Sequence, residues 1–173
     1  MARTDSFFIR ASVLTDSTNF NQSAIDLGAY VDALGKSVLR IHNISVQYGT
    51  PMEVIGTPAA GNTSSVAFQL TTQSQAAMVD LTNRSVVPSG KLIPSASQDD
   101  DLILINDQLD VGPQDFTDGY LIAVEQMYLG VDQRSTVTAQ VSVVLECTVY
   151  GRYVSFIETA ADDRKSIQQQ RGV

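Results

Sequence analysis

From Val137 to Val149 every odd position is apolar: Val137, Ala139, Val141, Val143, Leu145, Cys147 and Val149. Thr138, Gln140, Ser142, Glu146 and Thr148 hold even positions between them. A period of two marks a strand with one face in a core. The run is roughly twice the usual strand of about 5–6 residues. At about 3.3 Å per residue it spans about 40 Å. A strand this tall needs an equally tall partner surface, so the fold expected is an all-β sandwich or barrel.

The same period recurs along the chain. Phe7, Ile9, Ala11 and Val13 alternate with Arg10 and Ser12, which predicts a first strand. Ser23 and Asp26 can cap a short helix through Leu34, with Leu27, Tyr30, Val31 and Leu34 at helical spacing. Gly28 weakens that helix and Gly35 can end it. Residues 38–48 form a strand whose phase changes: Leu39 and Ile41 are apolar at odd positions, Ile44, Val46 and Tyr48 at even ones. One face stays buried only if the strand gains a residue, which predicts a β-bulge near His42-Asn43.

Thr50 to Ser65 reads as a Gly/Pro/Thr-rich loop, with Val54-Ile55 a short strand piece, and Val66, Phe68 and Leu70 alternate again. Ala76 to Leu81 fits a short helix or an extended segment, and Pro88-Ser89-Gly90 a turn. Leu102 to Ile105 is an unbroken apolar run between Asp clusters, the pattern of a strand buried on both faces. Gly112-Pro113 breaks the chain, and 120–129 reads as one strand, although Leu121, Val124 and Tyr128 also fit a helix. Gly151 marks a bend before a polar tail. The expected architecture is therefore all-β: a two-sheet sandwich of jelly-roll type, about eight strands, little helix. One domain covers 1–157, followed by a polar C-terminal tail at 158–173.

Composition narrows the function by exclusion. The net charge is −8, with fifteen Asp against four Glu and only three Lys. Phosphate contacts need clustered Lys and Arg, so no direct nucleic-acid binding is expected. No apolar stretch approaches the ~20 residues of a membrane helix. The first residues lack a signal-peptide pattern, so the chain is expected to fold inside a cell, and the Asn-x-Ser/Thr sequons at Asn43, Asn62 and Asn83 are taken as chance. Cys147 allows no internal disulfide and lies on the apolar side of the long strand, as a small hydrophobe.

Catalytic equipment is sparse. His42 is the only histidine, so a triad or general base would have to use it. Its place inside a strand, beside the bulge, favours a structural role. Zinc-type sites need several His or Cys ligands. Carboxylates without nearby bases can hold Ca²⁺ together with backbone oxygens. Nine acids and no base lie between Lys91 and Arg134. Asp99, Asp100, Asp101, Asp107 and Asp110 are the candidate ligands, with a solvated acidic surface as the plainer reading. No Trp is present to stack a sugar, and no phosphate-cradling glycine motif occurs. No catalysis and no other cofactor are expected.

Three stretches carry a family resemblance: Val38-Leu-Arg-Ile-His-Asn-Ile-Ser-Val-Gln-Tyr48, Val66-Ala-Phe-Gln-Leu70, and the closing strand from Thr136 to Val149. In size and layout the chain resembles single-jelly-roll major capsid proteins of membrane-containing icosahedral viruses of archaea and bacteria. The resemblance implies a virion shell protein, homo-oligomeric capsomers, assembly in the host cytoplasm and no catalytic residues. Arg3 and Arg10 near one end, and Arg164, Lys165 and Arg171 near the other, neutralise little genome charge. An internal viral membrane or another capsid protein would then face the genome. The alternative is a β-sandwich binding module, such as a phage receptor-binding or carbohydrate-binding domain.

Overall fold

The computed structural model describes residues 4–15, 19–32, 37–49, 58–97, 102–107, 118–134 and 140–151. Nine strands run through them: β1 Phe7–Leu14, β2 Asn21–Asp26, β3 Ser37–Tyr48, β4 Ser65–Thr71, β5 Val86–Ala96, β6 Leu102–Asp107, β7 Tyr120–Ile122, β8 Gln126–Arg134 and β9 Gln140–Gly151. No helix occurs among the described residues. One sheet has the order β1-β9-β3-β7 and the other β2-β8-β4-β5-β6. Every pairing is antiparallel.

The order follows from one long hairpin folded over on itself. β1 pairs with β9, β2 with β8 and β3 with β7, while β4 and β5 pair near the closed end. Rolling that ribbon brings β3 onto β9 and β4 onto β8, and the result is the jelly-roll sandwich. β1 faces β2 and β8 across the sandwich.

The core lies between the sheets. From one sheet come Ile9, Val13, Leu39, Ile41, Ile122, Val141, Val143, Leu145 and Cys147. From the other come Ile25, Val66, Phe68, Leu70, Val87, Met127, Leu129 and Val131. Tyr48 meets Phe68 edge to face at 6.1 Å, a favourable ring geometry. The long strand behaves as its alternation predicts: Val141, Val143, Leu145 and Cys147 are buried, while Ser142, Val144 and Glu146 are half-buried on the other face.

The bulge falls where the phase change predicts it. Ile41 pairs with Cys147 and Asn43 with Glu146, so His42 is the extra residue. Past it, Ile44, Val46 and Tyr48 pack against the core from even positions.

Four expectations need correction. Residues 21–26 are a strand, not the start of a helix: Ser23 and Ile25 pair with Leu129 and Met127 of β8. Asp26 accepts a bond from Gly28 N at 2.8 Å and so opens a turn. A single tight turn then buries Leu27 and Val31, which a helix would otherwise do. Pro88-Ser89-Gly90 lies within β5. The register slips between Gln69 and Thr71, which places an extra residue on β5 beside Pro88. A bulge is a place where a strand tolerates a proline. Residues 120–129 form parts of two strands in different sheets, because the chain crosses the sandwich at 123–125. Glu125 O accepts Leu27 N at 2.8 Å and fixes that crossing.

The fourth correction concerns Leu102–Ile105. It is a strand, but Ile103, Leu104 and Ile105 are 58%, 56% and 50% exposed. Among the described residues β6 is the last strand of the five-stranded sheet, and these side chains are exposed on both parities. Ala76–Leu81 is an irregular segment rather than a helix, bent at 76–77, and buried Gln69 grips it, bonding Ala77 O at 3.3 Å and Val79 N at 2.8 Å. Val54-Ile55, Gly112-Pro113 and the tail at 158–173 lie outside the described residues.

Candidate assembly surface

The groups with chemical potential are structurally committed. His42 Nε2 lies 2.7 Å from Thr148 Oγ1, and Thr148 is fully buried. That contact satisfies a hydroxyl beneath the bulge, as buried polar groups require. Cys147 faces the core, and burial, reinforced by the adjacent Glu146 charge, pushes its thiol up to about 12. A thiol held protonated is a poor nucleophile. Arg40 stacks its guanidinium 4.5 Å from the Tyr150 ring centre, on the outer face of the four-stranded sheet.

Of the candidate cation ligands, Asp107 ends β6 opposite Lys91 in the register. Asp99, Asp100, Asp101 and Asp110 lie outside the described residues. Among the described residues, no group of His, Cys, Asp and Glu could hold a metal ion. A shallow depression of about 320 Å³ opens between Asp26, Thr72, Val124, Glu125, Gln126 and Tyr128. It is mostly polar, and the Tyr128 hydroxyl in it donates to Gln126 Oε1 at 2.9 Å. No described helix is long and apolar enough to cross a membrane.

The sheet margins stand out instead. Among the described residues the outermost strands are β1 and β7 in one sheet, β2 and β6 in the other. An edge strand carries a row of unpaired amides and carbonyls. Soluble proteins blunt it with short length, lysine, proline or a bulge. β7 is only three residues long, and β2 carries Asn21, Gln22, Ser23 and Asp26. β1 is longer and has no lysine, proline or bulge, its protection being Arg10 and the Asn21 Nδ2 bond to Leu14 O at 2.9 Å, and on β6 Ile103, Leu104 and Ile105 are exposed. On β1, Phe8 is 54% and Leu14 59% exposed, with the Arg10 guanidinium 5.6 Å from the Phe8 ring centre. β1 has a regular register along its whole length and carries neither lysine nor proline.

Sequence reasoning took the even face of β1 as polar on the strength of Arg10 and Ser12. The contrary signal was present: Phe8 and Leu14 share that parity. For Ile103 to Ile105 the unbroken apolar run points to the interior, and the structure leaves them exposed.

No protein-family model matches the chain, and no curated protein matches it in sequence. Among solved structures it is similar to the empty head of turnip yellow mosaic virus, at 10% identity and a TM-score of 0.31. That overlap covers 84% of this chain and 81% of the other. A second turnip yellow mosaic virus structure gives 8% identity, a TM-score of 0.29, and 86% and 82% coverage. Overlap this loose carries neither a family nor a function across.

Proposed function

We propose that the chain is the building block of a viral protein shell, assembled from many copies of itself without catalysis. A jelly roll alone does not specify a function. The observation that carries the reading is the pair of exposed apolar margins among the described residues, β1 and β6, on one jelly-roll sandwich. A domain working as a monomer is expected to blunt such edges, and a shell subunit covers them with its neighbours. The scarcity of catalytic groups and the acidic surface are compatible with this role.

The finer form of the proposal places the chain in the capsids of membrane-containing icosahedral viruses, assembled in the host cytoplasm. The excess of acids over bases supports it, 19 Asp and Glu against 11 Lys and Arg, since such a shell leaves genome contact to a membrane or a second protein. Light scattering with negative-stain imaging of purified protein tests the reading, with and without added lipid vesicles. Shells, flat sheets or capsomer-sized oligomers are expected. A monomer at every concentration and in both conditions overturns it. The polar depression at Asp26 and Glu125 favours a binding module as the second reading, and a ligand screen on a persistent monomer would pursue it.

A further inference from the structure

We infer that β1 is a self-pairing edge: two copies join β1 to β1 antiparallel about a twofold axis and make one continuous eight-stranded sheet. The inference deepens the shell reading and rests on it for the occupant, a second copy of this chain.

The hydrogen-bond parity of β9 sets the geometry. Gly49 N donates to Gln140 O at 2.6 Å, so even residues of β9 address β3. Thr4 N donates to Val149 O at 3.2 Å and Val149 N to Thr4 Oγ1 at 2.9 Å, so odd residues address β1. Val141, Val143, Leu145 and Cys147 pair with Val13, Ala11, Ile9 and Phe7. The backbone groups of those four β1 residues therefore point inward. Those of Phe8, Arg10, Ser12 and Leu14 point away from the sheet.

These four outward residues are self-complementary. A twofold axis at Ala11 sets Phe8 opposite Leu14 of the second copy and Arg10 opposite its Ser12. The outward amides and carbonyls of Arg10 and Ser12 then pair, as do Phe8 O and Leu14 N, while Leu14 O, which already accepts Asn21 Nδ2 at 2.9 Å, takes Phe8 N as a second donor; the two most exposed apolar side chains of β1 close on each other. No like charges stand directly opposite.

The area indicates what kind of contact this is. An aromatic side chain carries roughly 150–250 Å², so a half-exposed Phe8 offers about 100 Å², and Leu14 is similar. Four such side chains close on the order of 400 Å², against about 1,200–2,000 Å² for a stable isolated pair. Such a contact is weak alone and holds among many simultaneous ones.

Mixed-disulfide trapping tests the register. Opposed residues of a bonded antiparallel pair have Cα atoms about 5.5 Å apart, within disulfide reach. Full-length Arg10→Cys and Ser12→Cys variants are oxidised separately and as a mixture at assembling concentration. The mixture should give dimers several-fold faster than either variant alone. Ser12→Pro, which removes an outward amide without touching the β9 ladder, should keep its circular dichroism spectrum and assemble less. Particles without the mixed cross-link overturn this contact and leave the shell reading standing. Cross-linked dimers without particles keep the contact and overturn the shell reading. Absence of both overturns the two together.

Discussion

Deleting His42 should be tolerated, although it removes a residue from the middle of a core strand. The register resumes one step later on β9, Asn43 against Glu146, so excision joins two segments already in phase. Ile41 stays inward, Asn43 turns outward, and Ile44, Val46 and Tyr48 keep their core side. What is lost is the 2.7 Å contact to the buried Thr148 hydroxyl. Leaving such a group without its partner costs about 1–3 kcal/mol. For a protein of this size 1 kcal/mol moves the melting temperature by roughly 2–4 °C, so a fall of about 2–12 °C is expected.

Deleting Val144 is the matched control. It too removes a half-buried residue from the outer face, but β9 has no phase change to absorb the loss. Either Val141 and Val143 or Leu145 and Cys147 must leave the core. Two such side chains cost about 3–6 kcal/mol. The polar groups drawn in cost about 1–3 kcal/mol more. The sum approaches the ~5–15 kcal/mol that holds a typical domain together. Urea titrations followed by far-ultraviolet circular dichroism measure both variants. If deletion of His42 costs as much as deletion of Val144, the bulge does not arise from the phase change and the register argument fails.

Other outcomes are expected. Val143→Asp buries an unpaired charge at a position 1% exposed, costs several kcal/mol and yields insoluble or unfolded protein; a soluble, cooperatively melting variant would refute the face assignment. Cys147 should resist thiol reagents in the native state and react in urea, and rapid native labelling would contradict its burial. Its raised pKa keeps the folded state protonated while the unfolded thiol ionises near 9.0. That contribution is intact below pH 9 and declines as pH rises toward 12, so Cys147→Ala should flatten the alkaline limb of a stability profile. At Gly130 an added Cβ would lie 2.7 Å from the Phe20 ring. Gly130→Ala should therefore destabilise by about 1–3 kcal/mol, and Phe20→Leu should recover part of it; purely additive losses in urea melts would exclude the clash.

Much of the fold was legible because it depends on period. The long strand, the first strand and the bulge at His42 all follow from which parity is apolar. The misreadings arose where local chemistry admitted two outcomes. Leu27, Tyr30 and Val31 have helical spacing, yet one turn buries Leu27 and Val31 once β2 has paired with β8. Pro88 reads as punctuation unless a partner strand permits a bulge, and β4 is that partner. The run Leu102 to Ile105 reports only that neither face is polar, which holds equally for a buried strand and an uncovered one. The candidate surface was half visible. Phe8 and Leu14 break the polar parity of β1, but that β1 is a margin is a property of topology.

Pairing the first strand with the last has a temporal consequence. Leu14 lies opposite Gln140, so 126 residues separate the two positions (140 − 14). At ribosomal rates of about 5–20 residues per second, β1 waits roughly 6–25 s before its own β9 exists. Throughout that interval both of its sides are open, and the β9 of an older neighbouring chain would present a complete ladder. Synthesis on crowded polysomes would therefore favour exchanged strands, and dilution or a chaperone holding β1 would suppress them. Because β1 pairs with β9, far along the chain, when β1 is covered depends on translation speed as well as on stability.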